Sequence, residues 1–279
     1  MLRVLISPRM LAFHALVLLV IPSFIVLGQW QYDRSVLKSE AVALQEANLS
    51  AAPVPVEELA QVGAGLPRED RWRSVTATGT FDSEHELLVR NRDGARGVGL
   101  YVVTPLVTSE GTGLLVNRGW VPQPPTSTEQ PEVPAPPAGE VTVTGRLQFS
   151  ETPENTGIRV RDGLPEGQIM LIDVDAIAGT VPYPLYGGFA ELTDQEPVSD
   201  PAPERVPVPE VDTGMNFSYA VQWWVFSLIA VVGWVFLVRR ELKDAENGTA
   251  GPPASGSGPD PGPPPSTGPR TGPPAKMGA

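Results

Sequence analysis

The amino-acid sequence predicts a membrane-anchored α+β protein, in which two transmembrane helices flank a mainly antiparallel β barrel or sandwich domain. Two observations lead to this fold class: an uncharged apolar run lies towards each end of the chain, and short β-like segments fill the region between. A helix rises about 1.5 Å per residue, so a run of about 18–20 residues spans a hydrocarbon layer of about 30 Å. Lipid offers the backbone no hydrogen-bond partners, and we therefore predict both runs as helices.

The first apolar run, Met10–Leu27, is predicted as a signal anchor. It is longer than the apolar region of about 7–15 residues in a cleaved signal peptide, which is the alternative. The following segment, Gly28–Gln31, has bulky side chains where a cleavage site needs small ones. We assign residues 1–9 to a cytoplasmic N-terminus and residues 10–28 to the first span. The helix is expected to continue to about Asn48.

Residues 29–215 are predicted as a β-rich domain, because runs of β-branched residues alternate with Gly, Pro and Asp. The first two strands are expected to pair across residues 82–85, and the next two across a hairpin turn at 108–113. Hairpin-length links favour an antiparallel barrel or sandwich. Pro105, inside a predicted strand, indicates an edge or a bulge. The predicted strands are Trp72–Phe81, Glu86–Arg90, Leu100–Val107, Leu114–Asn117, Val141–Phe149 and Leu185–Leu192.

The second apolar run, Tyr219–Val238, belongs to a second predicted span at residues 216–238. Residues 239–279 are predicted as a disordered cytoplasmic tail. From Gly248 onwards, 18 of 32 residues are Gly or Pro, and such a segment has too few apolar side chains to offset its ordering entropy.

Charge predicts the orientation of the chain. Arginine precedes the first run and follows the second, whereas residues 35–217 have 12 basic and 27 acidic side chains, a net charge of −15. Lys and Arg accumulate on the cytoplasmic side of a membrane. We therefore expect a cell-membrane protein with both termini in the cytoplasm and the central domain outside it, in contact with membrane lipid at its two spans.

Composition excludes several functions. The whole chain has 20 basic and 32 acidic residues, which disfavours nucleic acid as a partner. Without cysteine there is no disulfide, thiolate metal site or cysteine nucleophile. The zinc motif HExxH and the nucleophile motif GxSxG are missing. Asp173 and Asp175 are most simply part of a solvated acidic surface. We therefore predict that the protein is not an enzyme and has no metal site.

His14 lies inside the first apolar run. Ionisable side chains within a membrane are costly and often functional, so His14 is a candidate haem or proton site. A hydrogen bond to a neighbouring helix is the simpler alternative.

Three clusters of polar and aromatic residues need explanation. In the first, Gly28, Trp30, Gln31 and Arg34 lie where the first run ends. Trp is a common interfacial anchor, but Gln31 and Arg34 share one helix face, and Arg34 is expected to have a carboxylate or backbone partner.

The second cluster ends a hydrophobic strand and contains Asn117, Arg118, Gly119, Trp120 and Pro122. It predicts a packed corner that holds Arg118 between aromatic and carbonyl groups.

The third cluster enters the second span and contains Tyr219, Gln222 and Trp223. Its aromatic residues are anchors by default, and Gln222 is expected to find a partner across the helix pair.

Together these clusters resemble the Surfeit-locus family of cytochrome c oxidase assembly factors. The resemblance extends over nearly the whole chain up to Lys243 and depends on the order of four motifs. The low proportion of lysine, 3 of 20 basic residues, is typical of a GC-rich bacterium and agrees with an actinobacterial member. The motifs are G-x-W-Q-x-x-R at Gly28–Arg34, G-x-x-x-x-T-P-L at Gly99–Leu106 with Thr104 and Pro105, V-N-R-G-W-V-P at Val116–Pro122, and S-Y-A-x-Q-W at Ser218–Trp223.

The resemblance implies a non-enzymatic protein that assists insertion of haem a, or early maturation, of the large catalytic subunit of the oxidase. Its implied partners are oxidase subunits and the machinery of haem a synthesis and insertion. Some members are thought to bind haem a through a histidine three residues before the motif tyrosine. That position is Asn216 here, which leaves His14 as the intramembrane candidate. The alternative function is a bilayer-anchored extracytoplasmic scaffolding or binding module for another envelope complex.

Overall fold

A computed structural model describes residues 6–94, 96–124, 126, 131–161, 163–209 and 214–249, and shows five α-helices and eight β-strands within them. The helices are α1 (Pro8–Ser50), α2 (Val56–Leu59), α3 (Pro153–Thr156), α4 (Val174–Ala178) and α5 (Gly214–Thr249). The strands are β1 (Val54–Pro55), β2 (Ser74–Phe81), β3 (Leu87–Gly94), β4 (Gly97–Thr108), β5 (Gly113–Pro122), β6 (Glu140–Phe149), β7 (Gln168–Ile169) and β8 (Leu185–Glu196).

The chain divides into two units, Met1–Ile25 with Trp224–Ala279, and Val26–Trp223. The first unit contains parts of α1 and α5, the two helices that are long and apolar enough to cross a membrane. Many of its large apolar side chains are exposed, as Leu18 and Leu228 illustrate at 74% and 62%. Such surfaces are unusual for a water-soluble protein. The predicted pair of apolar helices is confirmed, and it is compatible with membrane anchoring.

The bounds of the two long helices differ from the predicted spans. α1 is one helix of 43 residues, and it includes both the first run and the expected continuation to about Asn48. α5 continues to Thr249, so residues 239–249, which we predicted as disordered tail, are helical. Helix-forming charged residues follow the apolar run, and Arg240 forms an i,i+4 ion pair with Asp244 at 3.8 Å. The predicted tail beyond residue 249, like residues 1–5, lies outside the described residues.

The second unit is built on a mixed sheet with the strand order β1-β2-β6-β8-β5-β4-β3-β7. β2 also pairs with β4, so that β2, β6, β8, β5 and β4 form a continuous ring of pairings. Among the described strands five pairings are antiparallel, whereas β1–β2, β3–β7 and β5–β8 are parallel. The β-rich domain between two apolar helices is thus confirmed as a mixed sheet.

β5 lies at the centre of this sheet, and nine of its ten residues are buried. Its side chains alternate between two cores, since Leu114 and Val116 join one cluster of apolar residues and Leu115 joins the other. A strand covered on both faces reads as a continuous apolar run, which is the pattern at Gly113–Val116. The polar residues that end this strand are therefore buried too.

Local pairings agree with the sequence better than distant ones. β4 and β5 form the predicted hairpin, with Leu106 opposite Leu114. The expected pairing of the first two strands is wrong, because β3 pairs with β4 and β7 while β2 pairs with β1, β4 and β6. A 3₁₀ turn at Ser83–His85 redirects the chain between them. Pro105 lies between the parts of β4 that pair with β3 and β2, a gap where its missing N–H is tolerated.

Candidate functional site

Among the described residues, Arg118 is the largest fully buried side chain, with 1% of its surface exposed. Its Nη1 donates to Glu86 Oε2 at 3.0 Å, and its Nη2 donates to the carbonyl of Pro134 at 2.7 Å. The guanidinium carbon lies 5.7 Å from the centre of the Phe81 ring. These are the aromatic and carbonyl contacts expected of the corner. We refer to Glu86, Thr104 and Asn117–Trp120 as the Arg118 corner.

Glu86 joins two of the sequence motifs. Thr104 Oγ1 on β4 donates to the same carboxylate oxygen at 2.8 Å, so motif residues of β4 and β5 meet on one acceptor. Burial lowers the pKa of Arg118, and the charge of Glu86 opposes that shift. The carboxylate therefore supplies the counter-charge that a buried guanidinium requires.

Gly119 allows the proline-rich strap, residues 197–209, to cross the corner. Its φ is +139°, and a Cβ there would lie 2.4 Å from the carbonyl oxygen of Glu204. The next residue, Trp120, exchanges both backbone hydrogen bonds with Glu204, at 2.7 and 2.9 Å. Asn117 Oδ1 accepts from the Gly119 amide at 3.1 Å and holds the turn. The strap is thus fixed to the end of β5 by backbone contacts that a side chain would block.

The position of the Trp120 ring accounts for Gly99, the first residue of the G-x-x-x-x-T-P-L motif on β4. Trp120 Nε1 donates to the carbonyl of Arg92 at 3.0 Å. A Cβ at Gly94 or at Gly99 would lie 2.5 Å from the ring. Gly99 also pairs with Pro122, the last residue of the corner motif. The indole therefore needs two glycines, one on β3 and one on β4.

The Arg118 corner is a closed arrangement of packed and paired groups. Its guanidinium, carboxylate and hydroxyl satisfy one another, and the Asn117 Nδ2 is a buried donor without a partner among the described residues. Such a network fixes strand ends and the strap in one geometry. The Arg118 corner is therefore suited to keeping the surface formed by these strand ends and the strap rigid.

A second polar group joins α1 to α5 within the second unit. Asn216 Nδ2 donates to Gln31 Oε1 at 2.9 Å, and Lys38 Nζ donates to Asn216 Oδ1 at 2.6 Å. Both ends of the Asn216 amide are thereby used. Haem iron takes His, Cys, Met or Tyr as protein ligands, so Asn216 does not supply a haem ligand.

Other motif residues of the helix heads lack the partners that we expected. Gly28 is buried. Arg34 and Gln222 are exposed and form no ion pair or hydrogen bond within the described part of the chain, so the partners expected for both are not found. The aromatic side chains Trp30, Tyr219 and Trp223 are exposed or half-buried.

His14 is hydrogen-bonded inside the first unit. Trp234 Nε1 donates to His14 Nδ1 at 2.9 Å, and the two rings meet edge to face. In a neutral imidazole one ring nitrogen accepts a hydrogen bond and the other carries the proton. Because Nδ1 is the acceptor here, the proton is on Nε2. Iron ligation would require this bond to break. The bond between neighbouring helices, which was the alternative, is present.

Comparison with known proteins identifies the family. A family model described as the SURF1 family matches residues 18–228. The chain belongs to the SURF1 family. The matched range contains the Arg118 corner and all four motifs, and it begins after His14.

SURF1-family relatives occur in bacteria and eukaryotes. An uncharacterized SURF1-like protein of Mycobacterium bovis is 30% identical over 238 residues, which cover 82% of this chain and 83% of the relative. A SURF1-like protein of Monosiga brevicollis is 32% identical over 77% of this chain and 83% of its own. Human Surfeit locus protein 1 is 32% identical over 52% of this chain and 54% of its own.

Several residues of the site were missed by sequence reasoning. Glu86 and Lys38 occur in ordinary polar contexts, and only the fold shows their partners and those of Asn216. Two ion pairs were also missed, the buried pair Arg146–Glu191 at 3.0 Å and the part-buried pair Arg92–Glu151 at 2.5 Å. A signal was available for the first pair, because both residues interrupt apolar strands at positions that the fold buries.

Proposed function

We propose that this protein is an extracytoplasmic assembly factor for the haem-copper cytochrome c oxidase, held to the membrane by α1 and α5. Membership of the SURF1 family carries this proposal, since the match includes the four motifs that resemble the Surfeit-locus assembly factors. The convergence of two of these motifs on Glu86 supports one shared structural role for them.

The proposed orientation follows from charge. Basic residues flank the outer ends of the two apolar runs, and the region between has a net charge of −15. Lys and Arg favour the cytoplasmic side, so the sheet would face the side on which an oxidase subunit exposes its extracytoplasmic loops.

The proposed role is non-catalytic and acts through binding. The Arg118 corner fixes the strap, and this supports a rigid surface on which an incompletely assembled subunit would bind. Oxidase subunits are the partners we propose. Haem a is the cargo of the proposed process, and we assign no residue of this chain as its ligand, because Asn216 and His14 are both engaged elsewhere.

Deleting the gene tests the proposal. We expect membranes of the deletion strain to lose the haem a absorbance and oxidase activity while haem b is retained, and wild-type protein to restore both. An Arg118→Ala protein should reach the membrane yet fail to restore oxidase activity, whereas Arg159→Ala, which changes an exposed arginine, should restore it. Normal haem a and oxidase activity in the deletion strain would contradict the proposal.

Affinity purification separates this function from scaffolding of another envelope complex. Tagged protein solubilised in mild detergent should co-purify with oxidase subunits, and Arg159→Ala should do so equally. Recovery of a different membrane complex without oxidase subunits would favour the alternative function.

A further inference from the structure

A cleft in the second unit is separate from the Arg118 corner and combines basic and aromatic side chains. Its lining includes Arg68, Arg71 and Arg92 together with Tyr101, Phe149 and Phe189. These are three of the 12 basic residues in a region with 27 acidic ones. Glu151 and Glu191 also line the cleft, so it has three basic and two acidic side chains. This small positive excess within an acidic domain is compatible with an anionic ligand.

The arginines of this cleft are not equally neutralised. Arg92 donates to both oxygens of Glu151, at 2.9 and 2.5 Å. Glu191 is paired with Arg146 at 3.0 Å. Each carboxylate thus has its own guanidinium, and Arg71 is left without an ion pair among the described residues.

Arg71 is oriented by neutral partners. Its Nε donates to the buried Gln148 Oε1 at 3.0 Å, and its guanidinium carbon lies 5.0 Å from the Trp72 ring centre and 5.2 Å from that of Phe149. The two terminal amino groups form no hydrogen bond within the described residues. Burial lowers the pKa of Arg71, and Glu191 opposes the shift. The free pair of amino groups has the spacing that a carboxylate accepts with both oxygens.

The backbone at Arg71 is fixed. Asn48 Nδ2 on α1 donates to the carbonyls of Glu69 and Arg71, at 2.6 and 2.8 Å. The following residue, Trp72, has a φ of +69°, a strained conformation for a bulky side chain. Such strain persists where the surroundings impose it, and it is common at ligand clamps. The guanidinium is therefore held in place before any ligand arrives.

We propose that this cleft binds a carboxylate attached to an apolar body, with the carboxylate on the Arg71 amino groups and the apolar body against Phe149, Phe189 and Tyr101. A free aliphatic acid and the C-terminal carboxylate of a polypeptide share this chemistry. The ligand binds in the cleft without the formation or cleavage of a covalent bond.

Calorimetry on the full-length protein in zwitterionic nanodiscs tests the proposal, with empty nanodiscs as the blank. Octanoate should bind, and octanamide, its neutral match, should bind at least about tenfold more weakly. A peptide with an apolar C-terminus, compared with its C-terminal amide, tests the polypeptide source. The proposal would be overturned if neither octanoate nor the free-acid peptide bound. Equal binding of an acid and its amide would also overturn it.

Variants locate the binding group. Arg71→Gln should weaken octanoate binding about tenfold or more. Arg71→Lys should weaken it less, because lysine keeps the positive charge although it cannot form the double hydrogen bond. Arg73→Gln, two residues along the chain and not part of the lining, should bind as wild type does. Wild-type affinity in a folded Arg71→Gln protein would also overturn the proposal. The comparison of octanoate with octanamide uses the wild-type protein, so it tests the proposal even if a variant does not fold.

Discussion

Thr104 and Arg118, from adjacent strands, donate to the same carboxylate oxygen of Glu86, at 2.8 and 3.0 Å. Arg118 is 1% exposed, whereas the side chain of Glu86 retains 20% exposure. A buried cation thus depends on a carboxylate that itself stays in contact with water. The arrangement satisfies the guanidinium with a smaller desolvation cost than a fully buried pair would have.

Glu86→Gln should destabilise the sheet by about 3 kcal/mol, because Arg118 stays buried without its counter-charge. The double variant Glu86→Gln with Arg118→Met should recover part of this loss, since it removes the unpaired charge. Denaturant unfolding of detergent-solubilised protein measures both free energies. A double variant less stable than Glu86→Gln would show that packing of Arg118, and not its charge, dominates.

Gly119→Ala should destabilise the protein by about 3 kcal/mol, because it combines a positive φ with a clash against the Glu204 carbonyl. Gly97→Ala is the matched control: Gly97 has a φ of +110° but no heavy atom within 4 Å of its Cβ position. It carries the backbone strain alone, and we expect a loss of about 1 kcal/mol. Equal losses in the two variants would mean that the strap contact contributes nothing.

Acid should destabilise the second unit partly through Asp82. Although burial raises its pKa, hydrogen bonds from Tyr183 at 2.6 Å and His85 at 2.7 Å outweigh that effect, and the pKa of Asp82 lies below its ordinary value of 3.8. The unfolded chain therefore binds this proton first as pH falls. The stabilisation is complete above about pH 4 and is lost as pH falls through the lower, folded-state value.

Asp82→Asn should flatten the acid branch of the stability curve, because the amide does not titrate. The thermal midpoint followed by near-ultraviolet circular dichroism from pH 6 to pH 3 measures this. Asp175→Asn, which changes an exposed aspartate, should keep the wild-type slope. An unchanged slope in Asp82→Asn would mean that other carboxylates account for the acid sensitivity.

Sequence reasoning succeeded where the determinants are local. The hairpin of β4 and β5 follows from two apolar segments around a short turn, and the corner after β5 follows from one polar motif. The expected pairing of β2 with β3 failed because residues 82–85 looked like a hairpin turn. They form a 3₁₀ turn capped by Asp82, whose side chain accepts from the Glu84 amide at 3.2 Å.

Distant pairings were beyond the sequence because they depend on closure of the whole sheet. The parallel pairing of β5 with β8 joins strands about 70 residues apart, as Val116 opposite Ala190 shows. No local pattern encodes that register. The bonds of Asn216 to Gln31 and Lys38 join residues that are 185 and 178 positions apart. They convert a residue that seemed only a departure from the family pattern into a link between two helices.

The Trp234–His14 hydrogen bond predicts one tautomer for the half-buried imidazole. Because Trp234 Nε1 donates to Nδ1 at 2.9 Å, neutral His14 should carry its proton on Nε2. Nitrogen-15 NMR of labelled protein at alkaline pH distinguishes the two tautomers, and His85→Ala assigns the signal, since the chain has two histidines. Trp234→Phe should release Nδ1 and shift its resonance, whereas Trp30→Phe, which changes an exposed indole, should not. A wild-type proton on Nδ1 would show that the bond does not form.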